Sequence, residues 1–244
     1  MEQNAESIKN ALTKTKAQFM VEKNAMFLMS EIFSTPISYD VNIPEHKTWT
    51  NGKDIKLDPE YFSAMTVYQR MHSLAHMTMH RLFMHLDKKR KGKREEKLWD
   101  LAADISTHAM LAVANIGDPL PDSLHVDYNG TVKLNINGKM LEIVDAHKKG
   151  VEEIYSEMVN HAGQNPMPKG ATADVITDEK GNKIEPSDVH GQGELTDEER
   201  TDAQNSMRQK LVEHKMRGNL PGFIADKIEG MLEGKVNWQA EMRE

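Results

Sequence analysis

Apolar residues recur at helical spacing over most of the chain, which predicts a mainly helical protein. In each predicted helix the apolar side chains return every three to four residues and therefore share one face. Pro36 ends the first helix, because proline lacks an amide donor and restricts the residue before it. The predicted helices cover residues 3–33, 66–88, 95–114, 151–160, 196–217 and 221–233.

Short alternating segments between these helices predict a small antiparallel sheet. Residues 37–41 alternate, and Asn51-Gly52 separates two further alternating runs. Asn-Gly favours a type I′ turn, because both central residues of that turn need positive φ. More short strands are expected over 126–144. The patterns together indicate an α+β fold, mainly helical, with a small antiparallel sheet or hairpin beside the helix at 66–88.

A change in composition divides the chain. Residues 161–195 contain few aliphatic side chains and many acidic, glycine and proline residues, which is typical of a flexible insert. Thr196 and Glu199 then form a capping box, which marks the start of a helix. We therefore expect a core over 1–160, a flexible acidic insert over 161–195, and C-terminal helices over 196–244 that pack on the core.

Composition excludes several classes of protein. The formal net charge of −7 argues against a nucleic-acid partner, which would require a basic face. The chain has no cysteine, so disulfide scaffolds and cysteine-ligated zinc are excluded. It also has no apolar run of about 18 residues, so no membrane-spanning helix is expected. Residues 1–4 lack the basic start of a secretory signal, and we expect a cytoplasmic protein.

Histidines at helical spacing form a candidate metal site on the helix at 66–88. His76 and His80 lie about 40° apart around the helix axis, so both imidazoles point the same way. This is the arrangement by which two histidines of one helix bind one zinc ion. His72 lies one turn earlier on the same face. His85 lies about half a turn out of phase, and on an unbroken helix it cannot join the site.

The helix at 95–114 offers a matching face. Asp100, Asp104 and His108 are spaced by four residues and therefore align. A short loop joins the two helices, so they are expected to pack antiparallel and to bring the two faces together. Two imidazoles and one carboxylate are a common catalytic zinc set, with a fourth position open to water. The alternative is that the histidines are structural and bind no metal.

Several short motifs resemble a known family. The run from Leu74 to His85 resembles the "LAHExxH" helix of a zinc metallopeptidase domain of bacteria and their phages, which usually precedes a von Willebrand factor A-like domain. The match covers about residues 5–160 and 196–242. Its other segments, in family order, are Trp49–Gly52 with Asp58–Phe62, Leu98–Asp104, Val151–Tyr155, and Gly218–Gly222 with Val236–Trp238. The resemblance implies a zincin-like fold and zinc-dependent peptide hydrolysis.

The resemblance also implies roles for individual residues. His76 and His80 match the zinc-binding histidines, and Asp104 is the best third ligand. The implied cofactor is one divalent ion, zinc. Further candidates are His72 and His108 as additional ligands, which rest on helical phase alone, and Asp100 as a partner that orients an imidazole.

Position 77 departs from the family pattern. The family has a glutamate there, which takes a proton from the zinc-bound water and passes it to the leaving amine. Met77 has no titratable proton, so we expect an impaired or binding-only protein. Either the site was rebuilt for binding or the glutamate was removed by design. Two alternatives stay open: an active hydrolase that uses another base, with Glu95 and Glu96 nearby, and a metal-free structural or adaptor domain.

The resemblance suggests partners as well. A protein or peptide is the expected substrate or binding partner, and a von Willebrand A-like domain protein is a further candidate. The chain ends shortly after Trp238, where the family continues into its A-like domain, so we expect that domain to be absent.

Overall fold

The computed structural model describes residues 2–44, 47–121, 123–161, 176–184, 188–191 and 193–233. The helices are α1 (Glu2–Val21), α2 (Met29–Ser34), α3 (Pro59–Ala64), α4 (Val67–Leu82), α5 (Lys88–Lys91), α6 (Glu96–Ala114), α7 (Val151–His161), α8 (Asp197–Arg217) and α9 (Gly222–Leu232). The strands are β1 (Ile37–Tyr39), β2 (Thr48–Thr50), β3 (Ile55–Leu57), β4 (Val132–Ile136), β5 (Lys139–Ile143), β6 (Ile176–Thr177) and β7 (Val189–His190). The predicted α+β class is confirmed, with helices dominating two small sheets.

The long helix predicted over 3–33 is wrong as a single element. α1 stops at Val21, Glu22 is extended, and a 3₁₀ segment at Lys23–Leu28 precedes α2. Both α1 and α2 pack on α4, and α1 also packs on α3. Phe27 and Leu28 of the 3₁₀ segment are both buried in the apolar core.

The first sheet is mixed rather than antiparallel. Its strand order is β1-β3-β2-β7, in which β2 and β3 form the predicted antiparallel hairpin. β1 pairs parallel with β3, and β7 pairs parallel with β2. The predicted antiparallel hairpin is therefore present within a mixed sheet, whose edge strands pair in parallel because they enter through longer connections.

The turn predicted at Asn51-Gly52 is not type I′. The strand register leaves four residues in the loop, and Gly52 has positive φ whereas Asn51 does not. Instead, the Asn51 side-chain oxygen accepts hydrogen bonds from the amides of Lys53 and Asp54. Such side-chain bonding is the other way in which asparagine stabilises a turn. At Asn137-Gly138 both φ angles are positive, and these two residues form the turn that joins β4 to β5.

Helix α4 carries the candidate histidines and is shorter than predicted. Thr66 caps its start in a capping box with Gln69. It ends at Leu82 rather than at 88, and Met84 adopts a positive φ of 50°. The chain therefore reverses direction directly after α4, before the short basic helix α5 begins.

Two apolar clusters meet along α6. One cluster joins α1, α2, α4, α8 and α9, and the other joins α6, α7 and the sheet of β4, β5 and β6. The C-terminal part of α6 contributes to the first cluster and the rest of the helix to the second. α4 and α6 thus pack together at the centre of the described structure. No helix in the described ranges combines the length and the apolar character needed to cross a bilayer.

The C-terminal helices pack on the core through a buried ion pair. Thr196 and Glu199 form the predicted capping box of α8. Arg200, in the first turn of α8, binds the buried carboxylate of Asp87 at 2.9 Å. The motif segment 236–238 lies outside the described residues.

The division of the chain into core, flexible insert and C-terminal helices stays a prediction. Within the predicted insert, however, the described residues do form strands. β6 pairs with β4, and β7 pairs with β2. The second of these pairings brings two polar side chains next to α4.

Candidate metal centre

The face of α4 that carries the histidines lies against the matching face of α6. His72 meets His108 at one end of this contact, and His80 meets Asp104 further along. Residues later in α4 therefore contact residues earlier in α6, so the two helices are antiparallel, as predicted. Both faces are buried, although they carry polar side chains. Burial of polar groups is costly unless they have partners, so the contact favours groups that bind each other or a shared ligand.

Five side chains converge where α4, α6 and β7 meet. Each offers one potential ligand atom, and all five atoms lie within 4.8 Å of one another. No side chain of the five is more than 7% exposed. The five are His76, His80, Asp104, Asp188 and His190.

The distances between these atoms match those around a shared ion. His76 Nε2 lies 3.3 Å from an oxygen of Asp104 and 3.3 Å from one of Asp188. His190 Nε2 lies 3.2 Å from the same two oxygens. Donor atoms that bind one ion at about 2.0–2.2 Å are about 3.0–3.5 Å apart. Three imidazole nitrogens and two carboxylate oxygens suit a transition-metal dication.

Several of these buried atoms have no hydrogen-bond partner among the described residues. They are Oδ1 of Asp104, both carboxylate oxygens of Asp188, and Nε2 of His190. The carboxylate oxygens instead lie 3.2–3.3 Å from histidine nitrogens of the same cluster. Buried charges in proteins are paired with opposite charges or coordinate metals. The residues present thus fit a bound cation.

Two of the histidines have raised pKa values. Burial disfavours protonation of His76, but the carboxylates of Asp188 and Asp104 outweigh it and raise the pKa to about 9. The same two carboxylates raise the pKa of His190 well above its ordinary value, against the effect of burial. For His80, burial and the positive charges on His190 and His76 lower the pKa to about 4. Without a metal, two protons therefore balance the charge of the two carboxylates.

A short strap from the predicted insert supplies two of the five side chains. Asp188 and His190 are two residues apart on an extended segment, so they face the same side. β7 pairs with β2, and the Gly191 amide donates to the carbonyl of Thr50 at 2.7 Å. A Cβ at Gly191 would lie 2.4 Å from the Trp49 ring. The strap therefore docks through its backbone, which approaches closely because glycine has no side chain.

The sequence reasoning missed both residues of this strap. Both lie within the predicted flexible insert over 161–195, and neither was a candidate ligand. The Asp-x-His spacing beside two glycines was the signal that could have identified them, because it predicts two ligands on one face of a short strand. Of the predicted site residues, the structure brings His76, His80 and Asp104 together in the cluster of five.

The remaining candidates lie beside the cluster rather than in it. His72 Nδ1 donates to the carbonyl of Ile116 at 3.2 Å, and its Nε2 lies 3.2 Å from His108 Nδ1. Burial, together with the charge on His76, lowers the pKa of His72 to about 4. The structure does not place His72 or His108 among the converging ligand atoms. His108 instead packs its ring on His76, with the centroids 4.4 Å apart.

His85 lies outside the cluster, as expected, but it is next to it. Since α4 ends at Leu82 and the chain reverses at Met84, His85 folds back against the ring of His80. The centroids are 5.2 Å apart. Burial and the charges around it hold the pKa of His85 well below its ordinary value, so the ring is neutral.

The acidic residues at the start of α6 have other roles. Asp100 lies 3.8 Å from Nδ1 of His190, the position expected for a residue that orients an imidazole. Glu95 caps α6 by accepting hydrogen bonds from two amides of its first turn, and Glu96 binds Lys91. Neither glutamate belongs to the cluster of five.

Met77 is fully buried and belongs to the apolar cluster that joins α1, α2, α4, α8 and α9. A thioether has no proton to exchange at neutral pH and is only a weak acceptor. Position 77 therefore supplies no acid or base to the neighbouring cluster.

A cleft of about 1000 Å³ approaches the cluster from the side of His72 and His108. Its walls are mixed, with apolar residues beside Asp118, Asn182 and Lys183. None of the five converging side chains is part of its lining. The rings of His72 and His108 thus lie between the cleft and the cluster of five.

Comparison with protein families shows what kind of domain carries this centre. A family described as "Putative metallopeptidase domain" matches residues 9–244. The chain belongs to this family. No curated protein and no solved structure matches the chain. Membership in a metallopeptidase-domain family and the buried His/Asp cluster agree with each other, since both indicate a metal-dependent, peptidase-like domain.

Proposed function

We propose that the domain binds one zinc ion through His76, His80, Asp104, Asp188 and His190. The observation that carries this proposal is the convergence of five buried donor atoms within 4.8 Å. Histidine nitrogen and carboxylate oxygen are the usual protein ligands of zinc where cysteine is absent. The two carboxylates would also neutralise the charge of a divalent ion inside the protein.

We further propose that hydrolysis is impaired, so that the domain binds peptides or proteins without cleaving them efficiently. When bound, zinc supplies Lewis-acid chemistry and lowers the pKa of a bound water. The general base that completes this chemistry in the resembled family would stand at position 77. Met77 cannot accept the proton, and general bases typically contribute about 100- to 10,000-fold in rate.

The surroundings of the cluster support a binding role. Five protein donors exceed the three that catalytic zinc sites use, which leave a position open for water. The cleft reaches His72 and His108 and none of the five donors. We propose that the cleft holds the peptide partner, and that a von Willebrand A-like domain protein is one source of such a partner.

Introducing a carboxylate at position 77 tests the proposed impairment. We expect zinc-loaded Met77→Glu to hydrolyse a mixed peptide library at least about 100-fold faster than wild type, because the missing base is restored. Met77→Gln is the matched control, since it has nearly the same shape and cannot accept the proton. Peptide cleavage is followed by mass spectrometry, with zinc content and thermal stability measured for each variant.

Two results would contradict the proposal. One is wild-type hydrolysis that depends on zinc and disappears in His76→Ala. The other is folded, zinc-loaded Met77→Glu with no more activity than Met77→Gln. The second result would mean that the identity of residue 77 does not limit the reaction.

A second candidate function is an active hydrolase in which Asp188 replaces the missing base. It is favoured by the two oxygens of this buried carboxylate, which have no hydrogen-bond partner among the described residues. In that case wild type hydrolyses peptides, and Asp188→Asn loses the activity while keeping its zinc. If Asp188 serves only as a ligand, the same variant loses zinc as well.

A further inference from the structure

We propose that His85 and His108 are positioning residues, which hold the imidazole rings of His80 and His76 in their metal-binding orientation by ring packing. This inference rests on the proposed metal site. It assigns a role to two buried histidines that lie next to the cluster and outside the five donors.

The two ligand rings of α4 lack the usual means of orientation. A metal-binding histidine ordinarily donates its second ring N–H to a carboxylate, a carbonyl or a water. In His76 and His80 the Nε2 atoms face the centre, 2.8 Å apart. Their Nδ1 atoms are buried and have no hydrogen-bond partner among the described residues. Another contact must therefore limit the rotation of each ring about its side-chain bonds.

His108 supplies that contact for His76. The two rings are tilted by 44° with their centroids 4.4 Å apart, and both are buried. His108 in turn stacks on His72, with centroids 5.4 Å apart and the rings tilted by 21°, and His72 donates to the backbone carbonyl of Ile116. The orientation of His76 thus depends on a continuous row of rings that ends at a fixed backbone atom.

His85 supplies the corresponding contact for His80. Its ring meets that of His80 edge-on, at 81° and 5.2 Å between centroids. His85 stacks on Phe83 at 5.7 Å, and its own carbonyl accepts a hydrogen bond from the Trp99 indole at 2.7 Å. The reversal at the end of α4 is what brings this ring against the ligand.

Packing and hydrogen bonding make different demands on these positions. A packing role needs a flat ring and no ring nitrogen, so phenylalanine should preserve it and alanine should abolish it. Loss of a residue that orients a metal ligand typically lowers metal affinity by about 10- to 100-fold.

The experiment compares His85→Ala, His85→Phe, His108→Ala and His108→Phe with wild type. Zinc affinity is measured by competition with a chelator, and the geometry of the site by the visible spectrum of the cobalt(II)-substituted protein. We expect each alanine variant to bind zinc about 10- to 100-fold more weakly and to show an altered cobalt spectrum. The phenylalanine variants should bind within about threefold of wild type, because phenylalanine keeps a flat aromatic ring against the ligand ring.

The outcomes separate this inference from the proposed metal site. If wild type binds zinc and the folded alanine variants keep its affinity and cobalt spectrum, ring packing has no positioning role. If the phenylalanine variants are as weak as the alanine variants, a ring nitrogen is required, which also overturns the inference. If wild type binds neither metal, the proposed metal site is wrong, and the positioning role fails with it. Thermal unfolding of the metal-free variants shows whether each one is folded.

Discussion

Replacing His190 by alanine is expected to lower the affinity for zinc by more than about 100-fold, since loss of a direct ligand exceeds the effect of losing a residue behind one. His190 Nε2 lies 3.2 Å from an oxygen of both Asp104 and Asp188 and is nearly buried. Chelator competition measures the change.

His125→Ala is the matched control for this variant. His125 is exposed and lies outside the cluster of five, although it lines the neighbouring cleft. Its removal should leave zinc affinity unchanged. Equal affinity of His190→Ala and wild type would show that the strap only covers the site, and that zinc is bound by α4 and α6 without it.

The second large effect is the dependence of zinc binding on pH. The pKa of His76 is raised to about 9 and that of His190 well above its ordinary value, so both rings are protonated at neutral pH in the metal-free protein. The pKa of His80 is lowered to about 4, so His80 is already neutral. Metal ligands must be deprotonated, and zinc must therefore displace two protons.

The sign of the effect follows directly. Because protonated histidines compete with zinc, affinity should rise with pH, by up to about 100-fold per unit where both rings are protonated. Calorimetry in buffers of different ionisation enthalpy counts the released protons, and about two are expected per zinc bound. Release near zero would show that neutral imidazoles already face the carboxylates, contrary to the charge balance described above.

Helical phase predicted which faces of α4 and α6 meet, but it proposed His72 and His108 as well as His76, His80 and Asp104, and the family resemblance was needed to favour the last three. The relation between His76 and His80 depends only on the local geometry of one helix. Spacing on the second helix and the short connection placed Asp100, Asp104 and His108 opposite these histidines, and the resemblance implied Asp104 among them. These features are local in sequence, so they could be derived without the structure.

The contribution of Asp188 and His190 depends on a contact that is distant in sequence. β7 is two residues long and is positioned by parallel pairing with β2, more than a hundred residues earlier. Composition around β7 is polar and rich in glycine, which alone favours a loop. A strand of two residues is too short to show hydrophobic periodicity. Its pairing with β2 therefore could not be predicted from the sequence.

The wrong predictions about the fold also arise from contacts that are distant in sequence. Helical periodicity continues through Glu22 and beyond Leu82, yet both helices end there because the chain turns to pack on other elements. At Asn51 the local preference for a two-residue turn gives way to a longer loop. Each of these endings is decided by tertiary contacts rather than by propensity.

Metal analysis of the purified protein, prepared without a histidine tag and dialysed against zinc and then against metal-free buffer, tests the central claim most directly. The five converging donors predict that wild type retains about one equivalent of zinc, and that a His76→Ala/His80→Ala variant retains almost none. Less than about a tenth of an equivalent in wild type, or equal retention by the folded variant, would contradict a metal centre at this site and favour a metal-free adaptor domain.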